Sequence, residues 1–396
     1  MTASVPVAGL RGPGSFSADF RPTNYRELYT FLEPNGSAPL QALLSMAASE
    51  STNDPKFNVF QDEMPDRSFT INNGGGYNSS TTTLQLTSGD PAAYVVAGSI
   101  IVNSATGEVM RATADGDQSA YTIAVTRNVG GTSLTITNGD KLFVAGFAAT
   151  EAATSPTAVS WDAGVDYNYT QIFRQAVQLS NTLKVTFTRT GKREDDYITK
   201  GLKLHMSDIE RAMFWGKRVE TNGSTNQALR YTGGLTNLIT NTIDVSTYST
   251  PGAMSENKFD ENLIETIFAW GSKEKIMFAG AHVITLLQQI GKNKWSPVSV
   301  DGGYGVQFTR YNTFAGSLNV YLHPMFRQVP NQSKNALILD LPFIKYRYLD
   351  GRDTDFLQDR QSNDYDGVKH EFLTECGLEL TALRPHTYLK GWNTLS

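Results

Sequence analysis

Apolar and polar residues alternate through residues 133–137 and again through 141–145, with Asn138-Gly139-Asp140 between them. Period-two alternation predicts strands, and Asn-Gly favours the positive φ angles of a tight hairpin turn. Residues 81–87, 94–102, 109–113 and 121–126 are β-rich too, separated by Gly, Asp, Asn or Pro. The stretch 77–148 therefore reads as an all-β module, rich in Thr and Ser and poor in charge. Asn72-Asn73-Gly74-Gly75-Gly76 precedes it, and a small-residue run, 148–156, follows. Two flexible borders around one β unit predict an insertion whose ends lie close together in a host fold.

The period changes near residue 195. Ile198, Leu202, Met206, Ile209 and Met213 recur at helical spacing, which predicts one apolar stripe on a helix over 194–218. Glu194, Asp195 and Asp196 near its start and Lys217 and Arg218 near its end suit the helix dipole. Such a helix spans roughly 35 Å at ~1.5 Å per residue, enough to act as a spine. Just before it, 183–188 reads as a strand, while 169–179 fits either element. After Gly233-Gly234 the pattern becomes α/β. Helices are expected over 259–270 and 281–290, a strand over 275–279, and two strands about Phe314-Ala315-Gly316. Two more strands fall within 336–349, then a polar loop over 350–367 and a long strand over 367–383. At the other end, residues 1–37 form a Gly-, Pro- and Ser-rich extended arm carrying Arg11, Arg21 and Arg26. A short helix over 39–48 follows, with Ser37 as its cap.

Composition narrows the function classes. The 396 residues carry a net charge of −5, with 40% hydrophobic and 18% charged residues, so the chain is globular. No long basic run marks a nucleic-acid binder. The single cysteine, Cys376, excludes an internal disulfide and a cysteine-based zinc cluster. No apolar run reaches the ~20 residues of a membrane helix. The N-terminus lacks the basic start and apolar core of a signal peptide.

Chemistry is sparse. The histidines, His205, His282, His323, His370 and His386, are scattered and never stand at metal-ligand spacing. Gly-Lys-Arg occurs at Gly191 and Gly216 but does not continue into a phosphate loop. Glu371 and Glu375 share a strand face, as the paired carboxylates of a glycosidase would, although a salt-bridged face explains them more simply. Asp353, Asp355 and Asp359 resemble part of a calcium loop, but its glycine and its final glutamate are missing. No catalytic residue, cofactor or metal is expected. An arm, an inserted module, a spine helix and an α/β end describe a chain built to make contacts.

The last segment, DTDFLQDRQSNDYDGVKHEFLTECGLELTALRPHTYLKGW, resembles the end of tailed-phage major capsid proteins with the Hong Kong 97-type fold. The residues that carry the resemblance are Asp355, Phe356, Glu371, Glu375, Arg384, Pro385, Lys390 and Gly391. In GVQFTRYNTFAGSLNVYLHPMF, Thr313, Gly316, His323 and Pro324 take the places of the family's turn and strand end. The opening ELYTFLEPNGSAPLQALL is similar to one group within the family. The resemblance implies an α+β capsid fold. Its parts would be an N-terminal arm (1–50), an extended loop (51–190) with the β-domain inserted at about 77–148, and a peripheral spine helix (191–232). An axial domain (233–345), a peripheral loop and long strand (346–384) and a C-terminal segment (385–396) complete it.

The same resemblance implies a major capsid protein whose hexamers and pentamers tile an icosahedral shell around DNA. The shell would assemble in the host bacterial cytoplasm and become part of the virion. It leaves room for scaffolding, portal and decoration proteins as partners and involves no membrane. Some relatives lock the shell by a Lys–Asn bond, but neither Lys56 nor Lys141 is assigned to one here. The acidic loop becomes an inter-subunit candidate through Asp353, Asp355 and Asp359, with Arg21 and Arg26 of a neighbour's arm to offset it. The alternative is another virion component, such as a tail-tube or adhesin protein. An enzyme using Glu371 or Glu375 is the third reading.

Overall fold

The computed structural model describes residues 43, 46–89, 91–186, 193–223, 227–290, 299–302 and 306–395. The arm with Arg21 and Arg26 lies outside them, as does nearly all of the short helix expected over 39–48. The chain forms two compact units, one of Met1–Val59 with Asp166–Ser396, the other Phe60–Val165. It passes between them through the paired strands Lys56–Gln61 and Gly164–Tyr169.

One sheet of the first unit orders its strands Ala48–Thr52, Ile344–Leu349, Gly367–Leu380 and Gln171–Ser180, with Asp355–Leu357 also on the long strand. The spine helix, Arg193–Trp215, packs on it. Ile209, Met213 and Phe214 share a buried cluster with Phe173, Cys376, Leu378 and Leu380. The buried face is rotated from the expected stripe: it runs through Gly201, His205, Ile209 and Met213, and Leu202 is exposed. Gly201 explains the rotation. A Cβ there would lie 2.5 Å from Val177 Cγ2, so helix and strand approach most closely at a residue without a side chain. His205 fills the next turn, with Nε2 2.7 Å from Thr374 Oγ1.

Gly216 ends the helix before Lys217 and Arg218. A Cβ there would sit 2.4 Å from Thr232 O, and Gly234 N donates back to Gly216 O at 2.9 Å. The strand expected at 183–188 is also corrected. Gln171–Ser180 is the strand, antiparallel to Gly367–Leu380, with Phe173, Val177 and Leu179 buried in alternation. Asn181–Val185 is a helical turn capped by Ser180, whose Oγ accepts from Leu183 N at 3.3 Å. Residues 187–188 lie outside the described residues.

The second sheet orders Thr242–Asp244, Thr387–Lys390, Ala336–Leu339, Glu274–Ala279, Ser317–Leu322, Val306–Asn312 and Ser299–Gly302. Its central strand is buried on both faces. Ile276 and Phe278 join the cluster beneath the spine helix, while Met277 and Ala279 join one with Phe259, Val283, Leu287 and Trp392. Burial on both faces explains the unbroken apolar run. The helix Glu256–Asn262 is capped by Ser255, whose Oγ accepts from Lys258 N at 3.2 Å, and runs into a π turn, Leu263–Ile267.

The second unit is a six-stranded sheet ordered Ser68–Thr70, Lys141–Phe147, Ser99–Asn103, Val109–Ala112, Thr122–Thr126 and Thr83–Gln85. An Ile71–Leu86 bridge joins the first strand to the last. Asn72 N donates to Gln85 O and Thr87 N to Thr70 O, both at 3.0 Å. The sheet is thereby closed into a barrel. Phe69, Leu84, Ile101, Met110, Ile123, Val125 and Leu142 fill it in strict alternation. The expected hairpin has one regular arm only, Lys141–Phe147. Residues 133–137 make a single bridge, Ile136 to Tyr77, because Lys141–Phe147 finds its partners in other strands. The turn is present, with Gly139 at φ 89° and the Asp140 carboxylate accepting from Thr137 N at 3.0 Å. Glu108 and Arg127 form a buried bidentate pair that also fastens two loops. Arg127 donates to Asn78 O at 3.0 Å, and Glu108 accepts from Leu134 N at 3.1 Å.

Candidate functional site

The acidic loop is pinned at both ends and free between them. A turn with Gly351 at φ 71° starts it, and Arg352 N donates to Leu349 O at 2.9 Å. Asp353 accepts from Tyr346 Oη at 2.9 Å. Asp355 opens the short strand that pairs with the long one, opposite Leu373. Asp359 adopts φ 53°, and its N–H points to His370 Nδ1 at 3.4 Å. His370 Nε2 lies 3.3 Å from Glu194 of the spine helix, which also meets Lys184 Nζ at 3.1 Å. Lys184 and His370 hold the Glu194 carboxyl below its ordinary range. Asp366 closes the loop by accepting from Asn181 Nδ2 at 2.6 Å.

The structure thus holds Asp353, Asp355 and Asp359 on one short, exposed loop. None of Asp350, Asp353, Asp355, Asp359, Asp364 and Asp366 forms an ion pair among the described residues. Arg352, the loop's own cation, turns inward to Glu375 at 2.8 Å. Arg21 and Arg26 lie outside the described residues.

Glu371 and Glu375 belong to a longer row. Together with Glu379 they line one face of Gly367–Leu380, and each meets an arginine from elsewhere in the fold. Arg174 binds Glu371 with two nitrogens, one of them Nη2 at 2.9 Å from Oε2, and Arg352 pairs with Glu375. Arg347 binds Glu379 and reaches Glu50 Oε1 at 2.9 Å. The Arg174 hydrogen bonds hold the Glu371 carboxyl below its ordinary range. A glycosidase acid needs the opposite shift, so this row is a sheet-stapling ladder. The even glutamate spacing was visible in sequence. Arg174 and Arg347 were not, because their positions depend on strand register.

Lys56 is also engaged. Its Nζ lies 4.3 Å from the centre of the Tyr167 ring, and Arg218 Cζ lies 4.2 Å from the same ring. The buried histidines serve the core. His323 accepts from Met325 N at 3.3 Å through Nδ1 and donates to Glu210 at 3.1 Å through Nε2. Burial pushes its pKa down to about 3, and the same holds for His386. Among the described residues no cluster of His, Cys, Asp or Glu is placed to hold a metal, and no helix is long and apolar enough to cross a membrane.

An exposed acidic loop, arginine–glutamate staples behind it and no proton donor among the paired glutamates describe a surface made for contact. Comparison with known proteins agrees. The chain is 27% identical over 334 residues to the major capsid protein of Pseudomonas phage PaMx41, covering 81% of this chain and 77% of that one. Among solved structures it is similar to the capsid of a native GTA particle, at 10% identity and TM-score 0.45, over 93% of this chain and 94% of that one. It is also similar to the SrpI encapsulin of Synechococcus elongatus, at 11% identity and TM-score 0.42, over 58% of this chain and 78% of that one. The model of the SU10 major capsid protein family matches residues 19–392. The chain belongs to this family of phage head-shell proteins and is a structural component of the virion, not an enzyme.

Proposed function

We propose that the chain tiles an icosahedral head as hexamers and pentamers of Hong Kong 97-type subunits enclosing the phage genome. Membership of a major capsid protein family, matched over residues 19–392, is the observation that carries this reading. The long helix laid across a sheet with a long central strand supports the peripheral domain of that fold, 191–232 with 346–384. The two-faced sheet supports the axial domain, 233–345, and the final segment, 385–396, lends it the strand Thr387–Lys390. Residues 51–190 act as the extended loop, with the barrel as its insertion at about 77–148, and residues 1–50 as the arm.

The exposed aspartates make the loop 350–366 a subunit contact. Several copies brought together repel by roughly 1 kcal/mol per close exposed pair in water. Arg21 and Arg26 of a neighbouring arm, or a bound cation, offset that repulsion. Scaffolding, portal and decoration proteins are further partners of such a shell, assembled in the host bacterial cytoplasm. Electron microscopy of the expressed chain tests the proposal. Shells, shell fragments or six- and five-fold rings are expected, whereas stacked tubes or persistent monomers refute it.

A further inference from the structure

Five large apolar side chains stand in solvent where the barrel unit begins and ends. Phe60 is 74% exposed, Met64 79%, Val159 40%, Trp161 48% and Val165 59%. They come from two neighbouring stretches, 60–64 and 159–165. The strands Lys56–Gln61 and Gly164–Tyr169 are paired, and Trp161 Nε1 donates to Asp62 Oδ1 at 2.9 Å. That bond fixes the indole in place while leaving its ring in water. Single apolar residues on a surface need no explanation, but a contiguous group does. This one exposes on the order of 500 Å², against the ~800 Å² each partner contributes to a standard stable interface. Asp62, Glu63 and Asp162 are interleaved with it, and no Lys or Arg occurs in 60–65 or 159–165.

We infer that this apolar ribbon docks on a second copy of the chain, against an apolar surface rimmed by basic groups. The inference rests on the shell reading above and names the residues that would anchor one of its contacts. The area is that of a substantial part of a stable interface, and further copies of the same chain are the partners that shell subunits share. Within a ring of more than two subunits the contact is heterologous: the ribbon of each copy meets a different surface on the next. Trp161, already held by Asp62, is a preorganised aromatic anchor of the kind that dominates such contacts.

The test is the double variant Phe60→Ser with Met64→Ser in the full chain. Both side chains are exposed, so the unassembled subunit should keep the parent's thermal transition. Its assembled fraction in sedimentation should fall about tenfold or more at a concentration where the parent is half assembled. A second variant, Asp162→Lys, reads the rim charge. Its assembly should be weaker than the parent's at about 0.05 M salt and recover at about 0.5 M, where screening shortens the repulsion. If both variants assemble like the parent, the ribbon is not a subunit contact, although the shell reading stands. If the variants assemble normally but lose a different virion protein, the occupant is that protein and the inference is overturned. A parent that forms no shells overturns the shell reading and this inference together.

Discussion

Replacing Gly201 by alanine should destabilise the subunit, against the usual sign for a helix. In an open helix interior the change stabilises by ~1 kcal/mol, because alanine restricts the unfolded chain and favours the helix. At Gly201 the new Cβ would lie 2.5 Å from Val177 Cγ2 and 3.6 Å from Phe372 Cε2. Carbon atoms rest ~3.5–4.0 Å apart, so the first contact cannot stand. Val177 is β-branched and stiff at χ1, and its strand is fixed in register against Gly367–Leu380. Either the helix lifts or Val177 leaves its rotamer, and such overpacking costs ~1–3 kcal/mol. The net expectation is a loss of about 1 kcal/mol, read from urea unfolding of unassembled subunits by circular dichroism. Combining Gly201→Ala with Val177→Ala removes the clash. The pair should then be more stable than the sum of the single effects by about 1 kcal/mol or more. If Gly201→Ala alone raises stability by ~1 kcal/mol, the helix stands further from the sheet than described and the close-approach account is wrong.

Glu108→Gln strips the charge from the buried pair with Arg127 and should cost ~3–5 kcal/mol. Its effect should fade in acid. The Glu108 carboxyl is held below its ordinary value, so its contribution is full above about pH 4.5 and lost as pH falls through the lowered value; an equal penalty at pH 3 and pH 7 would contradict this. His323 and His386 are buried neutral with pKa values near 3, while the unfolded chain takes up protons near pH 6.5. The denaturation midpoint should therefore begin to fall below pH 6.5, before most carboxylates titrate, and a flat profile from 6.5 to 5 would refute it. Asp353→Asn with Asp355→Asn should change both the assembled fraction and its salt dependence in sedimentation, and identical curves at every salt concentration would show that these carboxylates make no contact.

Local signals were legible and long-range ones were not. The spine helix declared itself through apolar spacing and an acidic start, yet its buried face was misjudged because Gly201 and His205 carry no hydrophobic signal. Strand positions in the barrel followed from alternation and turn residues. Its closure did not, since the Ile71–Leu86 bridge depends on which strands meet. The same limit hid the true partners of Lys141–Phe147 and put a strand at 183–188, where Ser180 caps a helical turn. At the acidic loop the carboxylates could be counted in advance. That Arg352 turns away from them to Glu375 required the register of the long strand.

That register also fixes an order of events during synthesis. The long strand Gly367–Leu380 lies between Gln171–Ser180 and Ile344–Leu349, so the sheet under the spine helix has no middle until the chain is nearly complete. The barrel is finished by Val165, about 200 residues earlier. At ~5–20 residues per second it has roughly 10–40 s in which to fold on the ribosome before the sheet's central strand exists. A protease-resistant barrel is therefore expected on nascent chains stalled near residue 250, with the spine helix still cleavable. Protection of both at that length would contradict the order. A half-made subunit would then carry a finished barrel but no finished sheet to offer its neighbours, and translation itself would keep shell building from starting on incomplete chains.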